Sequence, residues 1–355
     1  NSSPMTDHVQ IGWYINGGSL SMGENSSLNC NDASSSCLSL KSSSVTVPEV
    51  NSSSSSSIVI VDDSSSLIAE NLNGHAIGVG DQIFPGTFVD VNSIVLHDAG
   101  VGISQTGLAS VNIESVLFSG MNRVGVDWSG SYGAHIRNLS VSPQSTLGTV
   151  LRSVNHGSGS LHNVSSVGNL DGNSAFYLDV IGSIDLHNVS VGNYSEGVIA
   201  RGSGVIELNE VHLDVSDKII DAFGAISINA SLSNWTTDLE GALLGNEYSN
   251  LTSVSISGTS STSSGLEIIT GTHRLTSVEI LRPYLSSDRL STGISTIWAD
   301  VEMNDVSVNG WYFGIEINQD SDISSNLLNV SGGGRDGGAS IMVDGGSLQV
   351  SSLIT

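Results

Sequence analysis

Ile184-Asp185-Leu186-His187-Asn188-Val189-Ser190-Val191 is one copy of a unit that recurs along most of the chain. The unit reads apolar, any, turn-former, apolar, small polar, apolar. Earlier copies are Val91 to Leu96, Ile113 to Phe118, Ile136 to Val141 and Leu161 to Val164. Later ones are Leu208 to Leu213, a degraded copy from Ile228 to Leu232, Leu251 to Ile256, Leu275 to Ile280 and Met303 to Val308. Their anchors step by roughly 20–28 residues, inside the range of solenoid repeats. Within a copy, Leu186 and Val189 are three positions apart, whereas Val189 and Val191 are two apart. A single strand keeps a period of two, so the step of three marks a bend with one extra residue at 187 or 188. Asn188 suits a bend, because Asn enters the left-handed backbone region more readily than most residues.

A second strand type lies between copies: Val124 to Trp128, Ala175 to Val180, Gly197 to Ala200, Gly314 to Ile317 and Gly338 to Val343. Each coil therefore carries about three strands, and no window of a dozen residues has a helical period. Parallel stacking of such coils satisfies every ladder except at the two ends.

This pattern resembles the right-handed parallel β-helix repeat of the pectate-lyase-like superfamily. Ile136-Arg137-Asn138 and Leu186-His187-Asn188 match its turn, and Gly314-Ile315-Glu316-Ile317 matches its second strand. The resemblance covers about residues 58–355 and implies an all-β, right-handed parallel β-helix (solenoid) of about eleven to thirteen coils. The family's usual second Asn is apolar here (Leu139, Val164, Val189), so an inward asparagine stack is not expected at that position. Function is left open by the resemblance, since the superfamily includes lyases, hydrolases, adhesins and structural proteins.

Two regions are expected. Residues 1–57 form an N-terminal cap with irregular first coils, because a solenoid needs its first coil covered; residues 58–355 form the β-helix. Asn51 to Ser57 reads as a loop, a linker being the competing reading, and Pro143–Gly148 and Pro283–Thr292 read as loops leaving the coil. The start at Asn1 and the stop within repeat-like sequence read as a processed form or fragment.

Ten Lys plus Arg stand against 35 Asp plus Glu, a net charge of -25. That argues against a nucleic-acid phosphate surface and an anionic-lipid surface. No apolar run approaches a membrane span. Cys30 and Cys37 enclose a short Ser-rich loop, which reads as a disulfide in an oxidising compartment; two free thiols are the competing reading. With it goes an extracellular or cell-surface location.

Sequons begin at Asn1, Asn25, Asn51, Asn138, Asn163, Asn188, Asn193, Asn229, Asn234, Asn250 and Asn329. Asn138, Asn163 and Asn188 fall one coil apart on the same corner. A turn wanting Asn followed by an outward Ser also produces this pattern, so glycosylation and turn chemistry compete.

Alternation on the second strand turns Asp127, Tyr177, Asp179, Arg201 and Asp221 outward, with Arg152 joining if its register allows. This is the candidate ligand face. Carboxylates two coils apart approach the spacing of an inverting glycosidase pair, which Asp179 and Asp221 would meet. The competing reading is an ion ladder that shields strands. His162 and His187 are equivalent in adjacent copies, but no third ligand accompanies them, so no metal site is expected. Asp62-Asp63 and Asp320-Ser321-Asp322 are weak calcium candidates; no other cofactor is expected. Gly332–Gly338 lacks the Lys-Ser/Thr of a phosphate loop, and no nucleophile elbow occurs.

The expectation is a non-enzymatic extracellular structural or adhesive protein (stalk, surface-layer or filament component), with glycans or copies of itself as partners. The alternative is a carbohydrate-active enzyme or glycan-binding module acting on the outward strand face.

Overall fold

The computed structural model describes residues 11–31, 33, 35–53, 57–81, 86–130, 133–169, 172–259, 261–283, 291–331 and 339–355. Asn1, the tip of the Asn51–Ser57 stretch, most of the Pro283–Thr292 loop and Gly332–Gly338 lie outside them. The described residues are strands and short connections without a helix, and the strand pairings are parallel. The fold is a parallel β-solenoid of about 14 turns. Contacts divide the chain into two compact units, residues 1–169 with 182–184 and residues 170–181 with 185–355.

The coil count exceeds the eleven to thirteen expected, and the N-terminal stretch accounts for the excess. Ile11–Asn16 pairs with Ser36–Lys41, which pairs with Ser57–Asp62; Ser27–Cys30 pairs with Ser44–Ser52. Its Ser-rich sequence hides the repeat, because Ser supplies outward positions without strand propensity. Cys30 and Cys37 are bridged with their Cα atoms 5.5 Å apart, and a Cβ at Gly12 would lie 2.7 Å from Cys30 Sγ.

In each unit the interior is built of columns, one apolar residue per coil. In the first, Val47, Ala69, Val91, Ile113, Ile136 and Leu161 are consecutive ladder partners. Val50, Leu72, Ile94, Val116, Leu139 and Val164 form the column after the bend. In the second unit, Leu213, Trp235, Ile256, Ile280, Val308 and Val330 stack likewise. All of these are buried. Leu161, Leu186, Leu208 and Leu275, which the repeat pattern turns inward, are each at most 1% exposed. Fully burying such a side chain contributes about 1.5–3 kcal/mol, and stacking repeats that contribution coil after coil.

From Asn163 onward the bend inside the copies is left-handed, whereas Ser93, Ser115 and Asn138 in the three preceding copies make the same step of three without a positive φ. Asn163 has φ 51°, Asn188 52°, Glu210 56°, Leu232 50°, Ser253 54°, Ser277 52° and Asp305 57°. Only two of these are Asn, so residue type alone does not set the conformation.

A second corner closes the other strand type, where left-handed backbone recurs. Gly17 (φ 67°) and Ser42 (48°) align with Asp63 (48°), and Gly107 (70°) aligns with Gly130 (114°) and Asn155 (51°). In the second unit Gly202 (98°) and Gly224 (103°) occupy such corners, and Trp298 (53°), Asp320 (50°) and Gly345 (84°) align with one another. A residue bearing Cβ costs roughly 1–2 kcal/mol there relative to its right-handed conformation, and short polar residues recover part of that by local hydrogen bonds. Trp298 is the bulky exception in this set, and it is 58% exposed.

Candidate functional site

The outward face of the second strands is an ion-paired surface. In the first unit Ser104, Asp127 and Arg152 are successive ladder partners. The Arg152 guanidinium donates from Nε to Asp127 Oδ1 at 3.1 Å and from its terminal nitrogen to Oδ2. Asp127 is 8% exposed, so its carboxylate is buried beneath the arginine. The hydrogen bond to Asp127 pushes the Arg152 pKa further up. The register that the sequence left open is settled: Arg152 faces outward with Asp127.

In the second unit Tyr177 and Asp179 are both half-buried and lie on the same side of the strand Ser174–Gly202. A Cβ on Gly202 would lie 2.9 Å from Asp179 Oδ1, which places that carboxylate beside the corner following Arg201. Arg201 lies 3.1 Å from Asp221 Oδ1 and donates to the backbone oxygens of Asp221 at 2.6 Å and of Ala200 at 2.9 Å. Its guanidinium sits 5.3 Å above the Phe223 ring. Arg201 and Asp221 are therefore brought together as a staple between strands.

Further residues join this surface that outward alternation from the five candidates did not find. Lys218 pairs with Glu240 at 3.1 Å, and Asp221, Leu243, Glu267, Ser295 and Glu316 are ladder partners. Burial pushes the Glu196 carboxyl above the ordinary carboxylate range, and Asp217 and Asp221 push the same way against Lys218 and Arg201. Burial raises Glu267 too, with Glu240 adding to it and Lys218 opposing. Burial lowers the Lys218 pKa, but the bond to Glu240 and the neighbouring carboxylates outweigh it, and the net shift is upward. A usable signal was present: Gly265-Leu266-Glu267-Ile268 repeats the motif Gly314-Ile315-Glu316-Ile317, whose third position points outward.

Two grooves among the described residues lie away from this face. One groove runs past Glu24, Pro48, Ile68, Glu70 and Asp90, and another past Thr272, Asp300, Glu302, Asp322 and Gln349. Of the calcium candidates, Asp63 is paired with Lys41 at 3.0 Å, and Asp322 Oδ1 accepts from Ser347 Oγ at 2.5 Å. His187 Nδ1 lies 2.9 Å from Asn209 Nδ2, a bond along the bend column. Among the described residues no three His, Cys, Asp or Glu side chains group as a metal site, and no helix is long and apolar enough to cross a membrane.

The described sequon asparagines divide by environment. Asn25, Asn163, Asn188, Asn193 and Asn234 are exposed, whereas Asn51, Asn138, Asn229, Asn250 and Asn329 are half-buried. Several of the latter bond between coils: Asn51 Nδ2 donates to Asn29 Oδ1 at 3.0 Å, and Asn229 Nδ2 to Glu207 Oε1 at 2.8 Å. Asn138 Oδ1 accepts from Asn163 Nδ2 at 3.0 Å. No family model, curated protein or solved structure matches this chain.

Proposed function

We propose that the chain is a non-enzymatic, extracellular or cell-surface structural or adhesive protein, a stalk, surface-layer or filament component. Its coils are right-handed, in the manner of the pectate-lyase-like superfamily that the repeat resembles. The observation that carries this reading is the engagement of the candidate face. Asp127 is covered by Arg152, and Asp221 is held by Arg201. Carboxylates committed to coil-to-coil ion pairs shield strand edges, and they are not poised to take a proton from a sugar. The disulfide fits an oxidising compartment. Exposed sequons at Asn163, Asn188 and Asn193 offer glycosylation sites. Partners of this surface are glycans or further copies of the chain; its acidity disfavours nucleic acid and polyuronates.

The second reading, a carbohydrate-active enzyme or glycan-binding module, is favoured by one observation: Glu196 and Glu267 are half-buried carboxyls with raised pKa, the property of a general acid. Incubation of purified protein with neutral and acidic polysaccharides separates the two. The structural reading expects no turnover. Turnover that disappears in both Asp179→Asn and Asp221→Asn, or in Glu196→Gln and Glu267→Gln, overturns it.

A further inference from the structure

Trp298 occupies a corner where the fold asks for a glycine or a short polar residue. At the second-strand corners the left-handed positions include Gly17, Ser42, Asp63, Gly107, Gly130, Asn155, Gly202, Gly224, Asp320 and Gly345, with Gln319 (φ 32°) beside Asp320 the one longer polar residue among them. Trp298 takes the same backbone at φ 53°, and its side chain is 58% exposed. The strain of a bulky residue in this region is ordinarily repaid by burial. Here little burial repays it, whereas Trp128, Trp235 and Trp311 are each at most 1% exposed. An outlier of this kind is the starting point for a hypothesis of function. Leu232 is a second bulky residue in left-handed backbone, at the other corner, but it offers no aromatic plane.

The surroundings of Trp298 point to one ligand class. Its amide donates to Gln319 O at 2.9 Å, and Gln319 N donates to Asp344 O at 3.0 Å. Asp320 N donates to Gly345 O at 2.7 Å. Successive coils, about 4.8 Å apart, thus present an indole, then the exposed Gln319 and Asp320, then the exposed Asp344. Asp300 and Asp322 are exposed on the strands that leave the corner. An aromatic plane flanked by carboxylate and amide oxygens suits a sugar ring, whose C–H face stacks on the indole while its hydroxyls donate to the oxygens. Among the described residues, Arg274 on the strand paired with Ala299–Asn309 is held by Glu302 at 2.8 Å, and the exposed carboxylates of this corner disfavour an anionic ligand. We infer that the Trp298 corner is a docking site for a neutral glycan, with Trp298 as the stacking platform and Gln319, Asp320 and Asp344 as hydroxyl acceptors. This rests on the adhesive reading above and gives it a place and a ligand class.

The test titrates the whole chain with cellohexaose, laminarihexaose, mannohexaose and xylohexaose. It follows acrylamide quenching of tryptophan emission together with titration calorimetry. At least one hexasaccharide is expected to bind and shield the exposed indole. Trp298→Gly is expected to weaken that binding at least about tenfold while leaving the unfolding midpoint equal or higher, since glycine relieves the strain. Asp320→Asn is expected to weaken it with the fold intact. No response to any of the four sugars overturns the inference, as does a Trp298→Gly variant that binds normally or melts several degrees lower. Normal binding by Trp298→Gly leaves the adhesive reading standing and removes only this site, whereas cleavage of a hexasaccharide overturns the non-enzymatic reading instead.

Discussion

Asn188 and Leu186 carry opposite kinds of information at the residue scale. Leu186 is fully buried, and its inward direction follows from spacing alone. Leu186→Asp places an unpartnered charge in a dry column, and a loss of at least about 3–5 kcal/mol is expected by denaturant unfolding. Asn188 reveals the left-handed bend, but Glu210, Ser253 and Ser277 adopt the same backbone without advertising it. Their conformation is not displayed by residue type alone. Titration is also set by position. Burial lowers the pKa of His156 and His273 from the ordinary 6.5, so the native state stays neutral while the unfolded chain takes up protons. Stability is therefore expected to fall as pH drops through about 6.5 toward the lowered native values. Glu196 and Glu267 act in the opposite sense: their raised pKa values contribute stability below the ordinary 4.5 that is lost as pH rises through the shifted values. Melting curves of the native chain and of His273→Gln and Glu267→Gln check both signs. His273→Gln should flatten the acid limb, and Glu267→Gln should raise the midpoint at pH 7–8.

At the scale of the strand, the glycine that opens the second strands at Gly265, Gly293 and Gly314 has a packing reason that the sequence shows only as recurrence. Cβ atoms on Gly265 and Gly293 would lie 2.7 and 2.6 Å from the carbonyl oxygens of Gly293 and Gly314, and one on Gly314 would lie 2.4 Å from that of Ser340. These glycines let one coil settle against the next. Gly293→Val is expected to destabilise by about 1–3 kcal/mol through overpacking, read as a lowered unfolding midpoint, because its Cβ would also meet Val308 Cγ1 at 2.3 Å. The alternation of Ala175 to Val180 placed Tyr177 and Asp179 outward correctly. It did not reveal how far they would be covered, since cover comes from neighbouring strands about twenty residues away. The first coils were harder still: Ser-rich strands such as Ser44–Ser52 pair in register, yet their composition reads as a cap.

For the whole molecule, composition and repeat period made the solenoid legible, while the purpose of its surface was not. The described cations are largely spent between coils: Lys41, Arg137, Arg152, Arg201, Lys218 and Arg274 each meet a carboxylate. What remains facing solvent is acidic, and acidity alone names no partner. The sequons are more informative because exposure sorts them. Glycopeptide mapping of native material is expected to find the exposed Asn25, Asn193 and Asn234 occupied ahead of the half-buried Asn51 and Asn229, whose amides are committed to coil-to-coil hydrogen bonds. Occupancy confined to the half-buried group would contradict that order.

The ladder offset, finally, bears on how the chain is made. Partner residues lie between 18 positions apart, as Val59 and Ile77 do, and 28 apart, as Leu275 and Met303 do. No strand in these ladders waits for a distant part of the polypeptide. Each new turn finds its template in the turn just completed, so acquisition of structure proceeds as one-dimensional growth, and only the first turn bears a nucleation cost. A nascent chain emerging from a ribosome or a translocation pore can therefore lock in one increment for every two dozen or so residues released. Such growth can draw an emerging chain outward, because each completed increment resists sliding back.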